Sequence, residues 1–129
     1  MTTVRRVFYW LHLVAASLVI VGVFVQVYLA GAVLFGATDI SAHQDMGFLV
    51  HNLELAVFVF SLIAWLPKVD IAWSFALAAV GTGQVALSSA DEWVGALHPM
   101  FALVVLVLAA VIVHRDLRGL GLMHKRTTA

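Results

Sequence analysis

Seven strongly polar or ionisable side chains stand inside otherwise apolar stretches of this 129-residue chain: His12, Gln26, His51, Glu54, Gln84, His98 and His114. In hydrocarbon such groups are costly to bury, so each is a candidate for function. His51 lies about five residues into the apolar run that starts near Met46, and His98 about five into the run that starts near Trp93. At about 1.5 Å per helical residue, both imidazoles would lie about 7–8 Å below one membrane boundary. Two imidazoles at one level, on two helices of a bundle, can clamp a metal between them, and haem iron accepts histidine as an axial ligand. His51 and His98 are therefore the candidate axial ligands of one b-type haem. Gln26 and Gln84, toward the same ends of their helices, are placed to hydrogen-bond an imidazole nitrogen, a haem propionate or each other.

The helix faces bear on that reading. His98, Ala102, Val105 and Ala109 share one stripe, and His51, Leu55, Phe58 and Leu62 share another that would suit a porphyrin face. Zinc would need a third or fourth ligand, which Glu54, one turn from His51, could supply. The plainer reading treats the same side chains as interhelical hydrogen-bonders worth about 1 kcal/mol each. Glu54 is the single carboxylate well inside a span, with a proton or quinol site as one of its roles. His12 and His114 lie toward the opposite end, near Arg5, Arg6 and Arg115, and a second haem between them is not expected. His43 falls in a polar loop and is expected to face water.

The elements that position these residues are four apolar spans. Hydrophobic residues make up 64% of the chain and charged residues 11%, against about a quarter charged in a soluble domain. A bilayer crossing takes about 20 apolar residues. Spans are read at about Val7 to Phe35, Met46 to Leu66, Ile71 to Ser88 and Trp93 to His114, with a loosely ordered polar tail from Arg115. Continuous apolar runs select helices rather than a barrel. Short turns at Pro67–Asp70 and Ser88–Glu92 make an all-α, up-down-up-down integral membrane four-helix bundle. Small residues at Ala72, Ala76, Ala79, Gly83 and Ala86 mark one face of the third helix for close packing.

All seven Lys and Arg residues (Arg5, Arg6, Lys68, Arg115, Arg118, Lys125, Arg126) fall at one end, and Asp39, Asp45, Asp91 and Glu92 at the other. Positive charge marks the cytoplasmic side, so both termini are expected in the cytoplasm and the acidic loops outside the plasma membrane. Zero net charge gives no field for nucleic acid. The absence of cysteine excludes disulfides and thiolate-held metals.

The two halves share a weak repeat. Gln26-Val27-Tyr28-Leu29 recurs as Gln84-Val85-Ala86-Leu87, each followed by an acidic loop and a helix with an early histidine. On these residues, over about Val7 to His114, the chain resembles one four-helix half of the haem A synthase family. The resemblance implies a haem-binding scaffold. The chain departs from that family in having one half rather than two, in lacking its cysteine pair, and in carrying Phe48 where the family has a catalytic glutamate. Two histidine ligands leave no open coordination position, which favours electron transfer or haem handling by a membrane cytochrome b over enzymatic catalysis. The alternatives are a cofactor-free accessory or scaffold protein and a haem-modifying enzyme. Lipid, a quinol or redox protein, and a second copy of the chain are the partners such a protein would meet.

Overall fold

The computed structural model describes residues 1–123; Lys125 and Arg126 lie outside the described residues. Among them the chain is helical without a strand: α1 (Thr3–Leu34), α2 (Ser41–Ile63), α3 (Lys68–Leu87), a single turn α4 (Glu92–Gly95) and α5 (His98–Gly119). Four helices, counting α4 and α5 as one, are long and apolar enough to cross a membrane.

α1 packs on α2 and α5, and α3 packs on the same two, so the long helices close a four-cornered ring. The alternation of direction is visible in the bonds. Arg5 at the start of α1 donates to the Ala64 and Trp65 carbonyls after α2. The centre is apolar, with Ala16, Val19, Val57, Leu77, Val105 and Ala109 fully buried. Burial of each such aliphatic side chain is worth about 1.5–3 kcal/mol against water, but in lipid that term largely vanishes and close packing takes its place. Gly22 shows this. A Cβ there would lie 2.5 Å from Val50 Cγ2, so the missing side chain is what lets α1 and α2 meet.

Several expectations are corrected. The close-packing face of α3 is Ser74, Leu77, Ala78 and Gly81, whereas Ala72, Ala79 and Ala86 face outward. α1 starts at Thr3, because the Thr2 side chain accepts the Arg5 N–H as an N-cap. α2 starts at Ser41 rather than near Met46: the Asp39 carboxylate accepts both the Ser41 N–H, at 2.8 Å, and its hydroxyl. These two bonds hold the Asp39 carboxyl below its ordinary pKa. The fourth span is broken at Ala96–Leu97, because Pro99 has no N–H to donate and is tolerated only in a first helical turn. α5 then continues beyond His114 to Gly119, so Arg115–Gly119 are helix rather than loose tail.

Candidate functional site

Two polar clusters stand at opposite ends of the bundle. The first lines a cleft of about 140 Å³ to which α1 gives Gln26, α2 gives His43, His51 and Glu54, α3 gives Gly81 and Gln84, and α5 gives His98. The four residues singled out above for a haem site, His51, His98, Gln26 and Gln84, thus share one cavity. Exposed Gln44, Phe48 and Ser88 stand at its rim.

His43 is not in a water-facing loop. The earlier start of α2 puts it in the first helical turn, half-buried, with Nδ1 3.2 Å from the Gln26 carbonyl oxygen. His98, the first residue of α5, bonds through Nδ1 to the Gln84 carbonyl oxygen at 2.9 Å. A carbonyl only accepts, so in both rings Nδ1 carries the hydrogen and donates, and Nε2 is the ring atom left to meet a ligand. The ring centres of His43 and His98 are 6.2 Å apart. The glutamine repeat therefore pairs with His43 and His98, each anchored by the equivalent carbonyl. His51 stands further along α2, ten residues beyond Ser41, and lines the same cleft as His98. Of the stripe beside His51, Leu55 and Leu62 are exposed on the outer surface. Ala102 lines the cleft one turn after His98, and below it Val105 and Ala109 are buried as expected.

His51 Nδ1 bonds the Glu54 carboxylate at 3.0 Å. Glu54 is only 2% exposed and lies against Gly81, where a Cβ would overlap its carboxyl group. On the other side of the cleft the Gln26 amide lies 2.7 Å from where a Gly47 Cβ would stand. Its Oε1 is buried without a partner.

The second cluster, at the basic end, joins three helices. His12 on α1 bonds Asp116 on α5 through Nδ1 at 2.6 Å and Ser74 on α3 through Nε2 at 2.9 Å. All three are at most 2% exposed. Arg115 Nε donates to Asp70 Oδ1 at 2.5 Å alongside. The order Ser–His–Asp is that of a nucleophilic triad. Ser74 is fully buried, however, and its hydroxyl donates to the Asp70 carbonyl oxygen at 2.9 Å, so it is no nucleophile open to a substrate. The cluster is a tie between helices. It also uses both ring nitrogens of His12, while His114 is exposed on the outer surface. Asp116 was missed in the sequence because it follows Arg115 in a segment read as tail; helical spacing from Ile112, i to i+4, was the available signal.

No family model matches this chain, and no curated protein or solved structure is similar to it at a significant level. Among the described residues no three His, Cys, Asp or Glu side chains converge as a metal-ion site, which counts against the zinc alternative. For haem the donor set fits: two anchored imidazoles with Nε2 left to meet a ligand, and a Gly or Ala one turn beyond each, at Gly47 and Ala102. The cleft is smaller than the roughly 300–1,000 Å³ of a drug-sized site. The Gln26 amide, its Oε1 buried without a partner and its Nε2 beside Gly47, is the group a flat ligand would displace.

Proposed function

We propose that this chain is a membrane b-type haem protein whose axial ligands are His43 and His98, working in electron transfer. The observation that carries the reading is the 6.2 Å between those ring centres. The two rings, their planes at 66°, come from α2 and α5 on facing corners of the bundle, so one metal ion could be held from two sides. His43 replaces His51 in the pair drawn from the sequence, and His98 is kept.

A haem bound there supplies reversible one-electron transfer. The chain's own residues do the rest. The Gln26 and Gln84 carbonyls fix the tautomer and aim of each imidazole and raise its basicity. Two protein ligands leave no place for oxygen or substrate on the metal. The buried Val105 and Ala109 below the cleft keep water from the bundle centre. Haem-modifying chemistry has less support. Phe48 stands at the position of the family's glutamate, and Asp39, four residues before His43, is exposed and bound to Ser41. The reading extends to a multi-pass protein of the plasma membrane, its basic end cytoplasmic. A quinol or redox protein would be its electron partner, and a second copy of the chain a further one.

A second reading has an observation of its own. The His43–Gln26 and His98–Gln84 bonds also tie α1 to α2 and α3 to α5, as a cofactor-free scaffold would require. One experiment separates the two. Detergent-purified protein, supplied with haem, is examined by visible absorption, oxidised and dithionite-reduced. The expected result is a sharp low-spin b-type spectrum that His43→Ala and His98→Ala each abolish and His51→Ala leaves in place. Protein that stays colourless with haem supplied refutes the haem reading and leaves the scaffold. Loss with His51→Ala but not His43→Ala returns the ligand pair to His51 and His98.

A further inference from the structure

We infer that the groove between α1 and α5 at the basic end holds one acyl chain of an anionic phospholipid, whose phosphate is taken by Arg6 and Arg118; this rests on the reading above that the helices cross a membrane and is independent of haem. The groove has a volume of about 380 Å³ and runs along Leu13, Ser17 and Val21 of α1 and Val113 and Leu117 of α5. Ser17 is the small residue among these larger ones. Its hydroxyl donates to the Leu13 carbonyl at 2.8 Å, so it offers no unpaired polar group to a hydrocarbon chain. Leu13 to Val21 is about 12 Å of helix. Half of a roughly 30 Å hydrocarbon core is about 15 Å, so the groove fits within one leaflet. A second helix of that length, about 10–12 Å across with its side chains, would take up on the order of 1,000 Å³. The groove is too small for one and suits a single chain.

Charge selects the headgroup. At this end Arg115 holds Asp70, His12 holds Asp116, and Arg5 donates to the Ala64 and Trp65 carbonyls. Arg6 and Arg118 are exposed and have no ion-pair partner among the described residues. Arg6 stands on the groove side of α1, because Arg6, Trp10, Leu13, Ser17 and Val21 follow one another at helical spacings of three and four. Arg118 follows Leu117, which lines the groove on α5. Tyr9 lies against Gly119, where a Cβ would overlap its hydroxyl, so Arg6 and Arg118 stand about one helical turn apart in height. Leu13 is about 10 Å above Arg6, room for the glycerol backbone that joins a phosphate to its chains. Trp10, 39% exposed, lies between them, where a membrane boundary favours an aromatic ring. Guanidinium groups bind phosphate oxygens through paired N–H donors, and basic recesses between membrane helices recognise anionic headgroups in this way.

The test counts lipid bound to detergent-purified protein by native mass spectrometry, with phosphatidylglycerol or phosphatidylcholine of the same acyl chains supplied. Wild type is expected to keep one phosphatidylglycerol in preference to phosphatidylcholine, by roughly fivefold for each arginine engaged. Arg6→Gln combined with Arg118→Gln should remove that preference and leave weak binding of either lipid. Ser17→Leu should fill the groove and lose the bound lipid of both kinds while helix content stays unchanged. Should Ser17→Leu fail to fold, Val21→Phe serves in its place, because Val21 is 56% exposed and lines the same groove. Equal retention of the two lipids by wild type, or an undiminished preference in the double arginine variant, overturns this inference alone and leaves the groove covered by bulk lipid. Wild-type retention in a folded groove-filling variant also overturns it. Protein that stays in solution without detergent and takes up neither lipid overturns the membrane reading and this inference with it.

Discussion

Removing Asp116 should loosen the basic end of the bundle more than any other single polar truncation. The carboxylate is 2% exposed and accepts from His12 at 2.6 Å, and His12 is 1% exposed. A hydrogen bond to a charged group contributes about 1.5–3 kcal/mol, and the His12 N–H stranded by Asp116→Ala costs about 1–3 kcal/mol more. That sum agrees with the roughly 3–5 kcal/mol lost on breaking a buried ion pair. Polar pairs between membrane helices return less, about 0.6–2 kcal/mol, because the unfolded chain in the membrane finds other partners. The Asp116–His12 pair has the geometry of the first case, on helices apolar enough to meet the second, so we expect about 2–4 kcal/mol. Near its upper end that is close to a thousandfold in the unfolding equilibrium. The assay is equilibrium unfolding in mixed micelles of wild type, Asp116→Ala, His12→Ala and the double variant. The double variant should cost clearly less than the two single variants summed, because neither group is then stranded. A loss under about 1 kcal/mol for Asp116→Ala, or strictly additive costs, would refute the claim that these residues form one buried unit.

Further consequences are open to measurement. Asp39→Ala removes the acceptor that starts α2 at Ser41. The turn carrying His43 should fray, seen as faster amide exchange at residues 41–44 and weaker haem retention, with no change around His98. The acid dependence has a definite sign. The folded-state pKa of Asp39 is lowered by its bonds from Ser41, so its contribution is present above the unfolded-state value and is lost as pH falls through the lowered folded value. Exchange at residues 41–44 that ignores both the substitution and acid would show that Asp39 does not hold the first turn of α2. For orientation, single cysteines at Ser89 and Lys68 should differ in labelling of intact cells by an impermeant thiol reagent. Ser89 should react from outside and Lys68 only after lysis, and the reverse pattern would invert the proposed topology.

Much of the architecture was legible without coordinates. Apolar runs of about 20 residues leave a chain few options, because lipid solvates side chains but no backbone polar group. The helix count and the antiparallel order follow from that and from the short turns. The separation of basic from acidic ends is likewise a property of residue order alone. So was the membership of the cleft, in part: Gln26, His51, Gln84 and His98 are rare polar residues toward one end of their helices, and they do converge.

What the sequence left open was rotation and boundary, because each depends on contacts between distant residues. A helix hydrophobic on every side does not say which face turns inward: Ala72, Ala79 and Ala86 of α3 point out, Ala76 and Gly83 are half-buried, and Ser74, Leu77, Ala78 and Gly81 point in. The start of α2 was set by two short-range bonds at Asp39, and moving it five residues carried His43 from loop to cavity. Pro99 was in plain view and should have ended the fourth span's first segment, making His98 a helix start. The 6.2 Å between His43 and His98, the room for Glu54 at Gly81 and the burial of Asp116 against His12 belong to the tertiary structure alone. Composition sets a few polar groups into apolar helices, and only the packing of one helix against the next decides which of them meet.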